Sequence, residues 1–354
     1  MKVVFITDPL VTTFGAVKPA LLLAREFIAH GHDTTIISPT INDSIKTELT
    51  NIETIELGMK FRIVPNLPTF EAWLRSLFKE KDYLTEEGYI INTSSCVIAE
   101  ANVYYAQGLM TEALNAIISS MPMHYRVMYS LSSCILHYLE RKMVTKFRLL
   151  SKLLIANSNF CSSMYSNFGI DIDDIIYPPL DCELFKPKKD IESDYILTYI
   201  GIYGKETKFS VLNKIANNGV KIKGFGAKTP FIPSYILNNP NIELVGKVST
   251  EELVDLYSNA LYTLFPFTHE PFGYIPIESM ACSTPVLTYN KQGPAESVIH
   301  NKTGWLVNND EQMIRLALKI WKDGYSNSMR IECRKRALEF DVKKIFNEWL
   351  EILI

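Results

Sequence analysis

The sequence predicts an α/β protein of two doubly wound, Rossmann-like domains, and three observations predict it. Strand-like and helix-like patterns alternate through both halves of the chain, as parallel sheets with crossover helices require. An acidic connector flanked by prolines, opening at Tyr177-Pro178-Pro179, separates the halves, because successive prolines favour an extended, semi-rigid segment. At 354 residues the chain is long enough to bury two cores. The domains are expected at 1–180 and 191–338, joined by 181–190, with 339–354 as a final amphipathic helix.

Composition narrows the class of protein. With 47% hydrophobic and 21% charged residues and a net charge of −3, this is an ordinary globular chain, and no bulk basic charge argues for a nucleic-acid partner. Cys96, Cys134, Cys161, Cys182, Cys282 and Cys333 lie far apart and form no C-x-x-C pair. Neither a zinc site nor a redox motif is suggested, and a reducing, cytoplasmic setting is expected. The opening MKVVFITDPL has too short an apolar run for a signal peptide and reads as a first strand. No apolar run approaches the roughly 20 residues needed to span a bilayer, so any membrane contact is expected to be peripheral.

Taken in order, residues 2–7 form a buried-type strand, and the loop after it ends in Phe14-Gly15-Ala16. Leu21, Leu22, Ala24, Phe27 and Ile28 follow helical spacing over 18–30, with Pro19 in the first turn and Gly31 as the stop. Residues 34–38 complete a βαβ start. The loop at Gly15 is compatible with a phosphate, although a lone glycine there is equally a strand-to-helix turn. Strands are expected at 52–57, 89–92 and 103–106, the last leading into Gln107, and a helix at 70–78. A long amphipathic helix is expected over 135–154, with Ile135, Leu139, Met143, Phe147, Leu150 and Leu154 on one stripe and Arg141, Thr145, Arg148 and Lys152 on the other. A membrane-surface helix is one reading of that pattern; a helix packed on the first sheet with a solvated basic face is the favoured one. Asp171-Ile172-Asp173 has the form of a metal-binding D-x-D, but its polar setting reads as a solvated acidic turn. His124, a lone histidine, reads as a packing or surface residue.

The second half restarts with a strand at 196–200 and a loop holding Lys205 and Lys208. Further strands at 221–225 and 241–245 end in glycine turns, the second being Gly246-Lys247. Helices are expected at 251–258, 311–338 and 342–353.

The most informative stretch is 264–305. A strand stops at Thr268-His269, Glu270-Pro271-Phe272-Gly273 forms a turn, and Glu278 follows Glu270 by eight residues. A helix fits 274–282, since Pro276 can sit in a first turn where its missing N–H costs nothing, and 286–289 is the next buried strand. The N–H groups around Phe272, Gly273 and Tyr274 then offer an anion site at a helix N-terminus. Glu278 stands about 12 Å along the axis from Glu270 if the segment is wholly helical, so the pair can serve two rings of one ligand. A nucleotide sugar has that shape. The plainer reading makes Glu270 a helix cap and Glu278 a solvated surface residue.

Their company decides between the two. E-P-F-G-Y-I-P-I-E-S-M-A-C-S-T-P-V, with Gly293-Pro294-Ala295-Glu296 and Thr303-Gly304-Trp305-Leu306-Val307, closely resembles the signature of the family 4 glycosyltransferases. The inter-domain pattern A-N-S, Y-P-P-L-D, F-K-P is similar as well. The resemblance implies a GT-B fold, two Rossmann-like domains facing across a cleft, with the final helix crossing back onto the first domain. It implies a retaining hexosyltransferase using a nucleoside diphosphate sugar, with no metal or other cofactor, and a glycan or lipid-linked acceptor. By the same resemblance Glu270 contacts the donor sugar, Glu278 the ribose, Phe272 and Gly273 the sugar or diphosphate, and Gly246-Lys247 the base. Lys205 or Lys208 supplies the cation for the departing diphosphate, and spacing does not choose between them. Three departures stand out: Gly15 replaces a Gly-Gly pair, Gln107 stands where a histidine contacts the sugar, and Ile202 replaces an arginine after Gly201. Gln107 can position a sugar but cannot take a proton. Two other readings remain, another GT-B enzyme such as an epimerase or phosphorylase, and a nucleotide-sugar-binding module without turnover.

Overall fold

A computed structural model describes residues 1–353 except 14, 61–67, 83, 85, 189–193, 201–207 and 228–231. The chain divides into two compact units, one of Met1–Glu112, Pro122–Pro179 and Val342–Ile354, the other of Ala113–Met121 and Leu180–Asp341.

The first unit contains β1 (Lys2–Ile6), α1 (Lys18–Ala29), β2 (Asp33–Ser38), α2 (Asp43–Glu48), β3 (Glu53–Glu56), α3 (Pro68–Ser76), β4 (Tyr89–Asn92) and β5 (Ala101–Ala106). After α4 (Met110–Ile117) come α5 (Met123–Leu150), β6 (Ser151–Ala156), α6 (Asn159–Asn167) and the two-residue β7 (Asp174–Ile175). The sheet is parallel throughout, in the order β3-β2-β1-β4-β5-β6-β7. Val3 to Ile6 are fully buried, which is why the central strands read as continuous apolar runs rather than alternating ones.

The second unit contains β8 (Ile196–Tyr199), α7 (Phe209–Ala216), β9 (Ile222–Phe225), α8 (Ser234–Leu237), β10 (Ile242–Gly246), α9 (Thr250–Asn259) and β11 (Thr263–Phe265). It continues with α10 (Tyr274–Ala281), β12 (Val286–Tyr289), α11 (Pro294–Ser297), β13 (Gly304–Val307), α12 (Asp310–Asp323) and α13 (Asn327–Ala337). Its sheet is also parallel, in the order β10-β9-β8-β11-β12-β13. At α9 a capping box starts the helix: Ser249 Oγ accepts from Glu252 N at 3.2 Å, and Glu252 accepts from Ser249 N at 2.7 Å. The last helix, α14 (Val342–Leu353), belongs to the first unit. It buries Ile345, Phe346 and Trp349, with Phe346 edge-on to Phe27 of α1 at 4.8 Å and Trp349 edge-on to Tyr105 of β5 at 5.3 Å.

Three local expectations need correcting. The helix over 135–154 begins earlier, at Met123, and ends at Leu150, where Ser151 is already in β6. Its second half packs most closely: Met143, Val144 and Phe147 are buried, Phe147 stacking on Tyr104 at 4.3 Å, whereas Ile135 is 61% exposed. The helix over 311–338 is two helices, because Gly324 takes φ 67°, a conformation that ends α12, and Ser326 then caps α13. Residues 181–188 do not form a free connector. Leu180, Cys182 and Phe185 are buried in the second unit, and the Arg334 guanidinium donates to Phe185 O at 2.7 Å and Cys182 O at 2.9 Å. Asp173, of the acidic triplet, accepts from Leu154 N at 2.7 Å and pairs with Arg148 at 3.1 Å, so it closes the end of a sheet connection.

Candidate functional site

Because every strand of the second unit is parallel, the strands' carboxyl ends line one edge of the sheet. The chain runs from β8 outward through β9 to β10, then returns to β11 and runs the other way to β13. β8 and β11 therefore end side by side, the position in an open α/β sheet where the loops that follow form a ligand crevice. The first of these loops includes Lys205, which lies outside the described residues, and ends at Lys208, the N-cap of α7. The second carries Glu270, Phe272 and Gly273 into α10.

Gly273, the N-cap of α10, has no side chain with which to cap the helix and holds φ 93°. A Cβ on Gly273 would stand 3.1 Å from Glu270 Cγ and 3.0 Å from Pro294 Cγ, so the glycine lets the Glu270 side chain fold across the helix start. The loop after β12 closes the other side. Gly293 N donates to Glu270 O at 3.0 Å, and a Cβ on Gly293 would lie 2.2 Å from Pro271 O and 2.4 Å from Phe272 Cα. Only glycine permits that approach. Gln292, 4% exposed, donates its side-chain amide to Phe267 O.

Every residue of α10 from Ile275 to Ala281 is buried, and Glu278 is its one charged side chain. An apolar helix gains nothing from burying a carboxylate unless partners meet it. Glu278 Oε2 accepts from Tyr257 Oη at 3.1 Å, and burial, with Glu278 next, pushes the Tyr257 hydroxyl well up, so it stays a neutral donor. At the carboxyl ends of β8, β9 and β10, Gly224 and Gly226 pack closely against Ile200, and a Cβ on either would stand within 2.5 Å of it. Gly226 N donates to Gly246 O at 2.8 Å, and Lys247 beside them is exposed.

The first unit has the same kind of edge, with β1 and β4 at its turning point. Asp8, just past β1, is 5% exposed. Its carboxylate accepts from Ser94 Oγ at 2.8 Å, Ser95 N at 2.8 Å, Ser95 Oγ at 3.1 Å and Cys96 Sγ at 3.3 Å. Burial raises the Asp8 pKa, opposed by the bonds from Ser94 and Cys96, and the Cys96 thiol is pushed well up by burial and then by Asp8. Gln107, at the end of β5, donates its amide nitrogen to Ala16 O at 2.8 Å and Thr93 O at 3.0 Å. Gly15 opens the 3₁₀ turn Gly15–Val17 that leads into α1.

Thus Lys208, Gly246, Lys247, Glu270, Phe272, Gly273, Tyr274 and Glu278 fall on or just behind one edge of the second sheet, and Gly15 and Gln107 on the matching edge of the first. Sequence reasoning missed Asp8 with Ser94 to Cys96, and the Tyr257 partner of Glu278. An acidic residue directly after the first strand, in Ile6-Thr7-Asp8-Pro9, was the available signal for the first.

Comparison with known proteins agrees with this geometry. Residues 234–339 match the family Glycosyl transferases group 1. A probable sucrose-phosphate synthase of Thermosipho melanesiensis is 36% identical over 110 residues, 30% of this chain and 26% of that one. The capsular polysaccharide biosynthesis glycosyltransferase CapM of Staphylococcus aureus is 34% identical over 73 residues, 21% of this chain and 19% of that one. The matched stretches thus span about a quarter or less of these relatives. Over the whole chain the likeness is one of fold. HepE of Anabaena, solved in complex with UDP-glucose, superposes with a TM-score of 0.70 at 15% identity, covering 100% of this chain and 99% of that one. WaaG, a glycosyltransferase involved in lipopolysaccharide biosynthesis, superposes with a TM-score of 0.69 at 15% identity, covering 99% of each. The chain therefore has the two-unit GT-B fold of these glycosyltransferases, and its residues 234–339 match the model of the glycosyl transferases group 1.

Proposed function

We propose that the protein is a retaining hexosyltransferase that moves a hexose from a UDP- or GDP-sugar to an acceptor hydroxyl on a glycan, a lipid or a protein-linked sugar. One observation carries the reading: Lys208, at the start of α7 after β8, and Glu270, ahead of α10 after β11, follow adjacent parallel strands at the carboxyl edge of one sheet. That HepE binds UDP-glucose supports the donor class.

In this reading the base lies against Gly226 and Gly246, beside Lys247, and Glu278, oriented by Tyr257, accepts from the ribose hydroxyls. The diphosphate meets Lys208, or Lys205, and the N–H groups at Gly273 and Tyr274. Negative charge grows on the diphosphate as the bond from the anomeric carbon to its oxygen breaks, so cationic and backbone donors aimed there supply the largest catalytic effect, and no metal is needed. Glu270 holds sugar hydroxyls. A retaining glycosidase needs two carboxylates facing one bond at about 5–5.5 Å, and this reading assigns Glu270 to sugar hydroxyls and Glu278 to the ribose instead. The acceptor oxygen bonds to the anomeric carbon on the face the diphosphate leaves, and its proton passes to the departing phosphate.

The test is nucleoside diphosphate release from a panel of UDP-, GDP- and ADP-sugars in the presence of a chelator, for wild type and Glu270→Ala. Release from one donor, lost in the variant, is expected. Tight donor binding with no release, whichever glycan or lipid acceptor is supplied, would sink the proposal in favour of a binding module, and release that requires inorganic phosphate would make it a phosphorylase.

A further inference from the structure

Beside β13, the edge strand of the second sheet, lies a cavity of about 320 Å³. Trp305, the second residue of that strand, lines it. Only Asn308 and Asn309 separate β13 from α12, so the helix turns back along the strand, and its last turns bring Leu316, Lys319 and Ile320 to the cavity. Tyr325, just beyond α12, donates its hydroxyl to Leu261 O at 2.5 Å, two residues ahead of β11. The cavity therefore belongs to the amino edge of the sheet, opposite the edge that carries Lys208 and Glu270. Its walls are held by the protein's own contacts. Trp305 is 7% exposed, edge-on to Tyr262 at 6.1 Å and to Tyr325 at 5.6 Å. At the rim, Asn301 holds φ 60° and donates its backbone N–H to Gly304 O at 2.7 Å, while Leu306 N donates to His300 Nδ1 at 3.0 Å. Small-molecule sites are concave, largely apolar and formed in advance in this way.

The side chains identify the class of ligand. Trp305, Leu316, Ile320, Tyr325 and Met329 make the walls mainly apolar, and no Asp or Glu lines them. The polar groups are chiefly donors. Because His300 Nδ1 accepts from Leu306 N, the other ring nitrogen carries the proton. The Trp305 indole N–H can only donate, and it has no acceptor among the described residues. Lys319 is exposed and makes no ion pair among the described residues. Asn301 alone offers an acceptor as well. A sugar would find few acceptors here for its hydroxyl protons, and inorganic phosphate would leave the apolar walls against water. A carboxylate on an apolar body meets both the donors and the walls. The volume stands near the lower end for small-molecule sites, which suits a single ring or a short chain. We propose that this cavity binds a small organic carboxylate, its apolar part against Leu316, Ile320 and Met329 and its oxygens on Lys319 and the Trp305 N–H. This site is independent of the donor chemistry proposed above.

Phenylacetate and hexanoate are the probes, and phenylacetamide, inorganic phosphate and UDP-glucose are the controls. Binding to the full chain is followed by saturation-transfer NMR on the probe and by tryptophan fluorescence. Expected are dissociation constants of about 1 mM or tighter for both carboxylates, and binding about tenfold weaker for the amide, which lacks the charge. Lys319→Gln should weaken phenylacetate by about tenfold, and Leu316→Trp, which fills the cavity, by about tenfold or more. Lys319 is exposed, so its variant should melt with the wild type and separate a lost ligand contact from lost folding. Neither phosphate nor UDP-glucose should displace the probe. No binding of either carboxylate at about 10 mM, amide binding as tight as that of the carboxylate, or binding that Lys319→Gln leaves intact overturns the proposal. Displacement by UDP-glucose also overturns it, by placing the probe in the donor crevice at the other edge.

Discussion

In the first unit the loops following β1, β4 and β5 are tied to one another mainly by side chains; in the second, the loops following β11 and β12 approach backbone to backbone, with one side-chain bond from Gln292 to Phe267 O. Asp8 spends its carboxylate on Ser94, Ser95 and Cys96, and Gln107 spends its amide nitrogen on Ala16 and Thr93. Around Glu270 the backbone fastening is Gly293 N to Glu270 O, made possible by two glycines, and Gln292 adds its bond to Phe267 O. The difference teaches how each edge is held: the first by buried side chains gathered from distant loops, the second chiefly by close backbone approach.

Glu140→Ala should be the most damaging change to the side-chain-tied unit. Glu140 gathers Trp73 Nε1, Met110 N and both donors of Thr111, so its loss leaves buried donors unmet, at a cost of about 3–5 kcal/mol. Thermal unfolding should drop by roughly 10 °C, and a drop near zero would show that water replaces the carboxylate. Glu270→Ala should behave in the opposite way, losing about 100-fold or more in turnover, near 2.7 kcal/mol, while melting within about 2 °C of wild type. A large melting shift would mean that Glu270, like Asp8, is structural, and the contrast between the edges would collapse. Gly293→Ala is expected between these extremes. Its Cβ cannot fit beside Pro271 O and Phe272 Cα, so the two loops must part, costing about 1–3 kcal/mol of stability together with activity. Activity retained in full would show that the close approach is dispensable.

The smallest effect concerns pH. Burial holds the Asp8 carboxyl above its ordinary 3.8, so the folded chain binds that proton more tightly than the unfolded one does. Stability from this group is therefore greatest at acid pH and declines as pH rises from 3.8 through the raised value. Asp8→Asn should flatten that decline in melting curves recorded between about pH 4 and 7, relative to wild type. Identical slopes would mean that the donors from Ser94, Ser95 and Cys96 fully offset burial.

This contrast also explains what could be read from the sequence. The second edge is written in one contiguous stretch: Pro276 announces the start of α10, and Glu270, Gly273, Glu278 and Gly293 fall within 24 residues of one another. The first edge is assembled from Asp8, Ser94 and Gln107, and its bonds from Ser94 to Asp8 and from Gln107 to Ala16 join residues 86 and 91 positions apart, which only the strand order makes neighbours. Buried strands such as β1 and β12 were legible because parallel strands covered on both faces are uniformly apolar. The first half of α5 was not, because its apolar residues face outward and Ser130, Ser132 and Ser133 blunt the periodic signal. Nor was the break at Gly324, since a single glycine within a helical pattern is usually tolerated.

The placement of α14 has a consequence for the order in which the protein can be made. Phe346 and Trp349 sit in the core of the first unit, against Phe27 and Tyr105, yet the ribosome adds them only after the whole of Leu180–Asp341. At about 5–20 residues per second that is a delay of roughly 8–30 s, during which the nascent first sheet presents an open apolar trough along α1 and β5. The second unit has its full set of strands and helices before the first one does, so the half of the chain synthesised first is the half that finishes folding last.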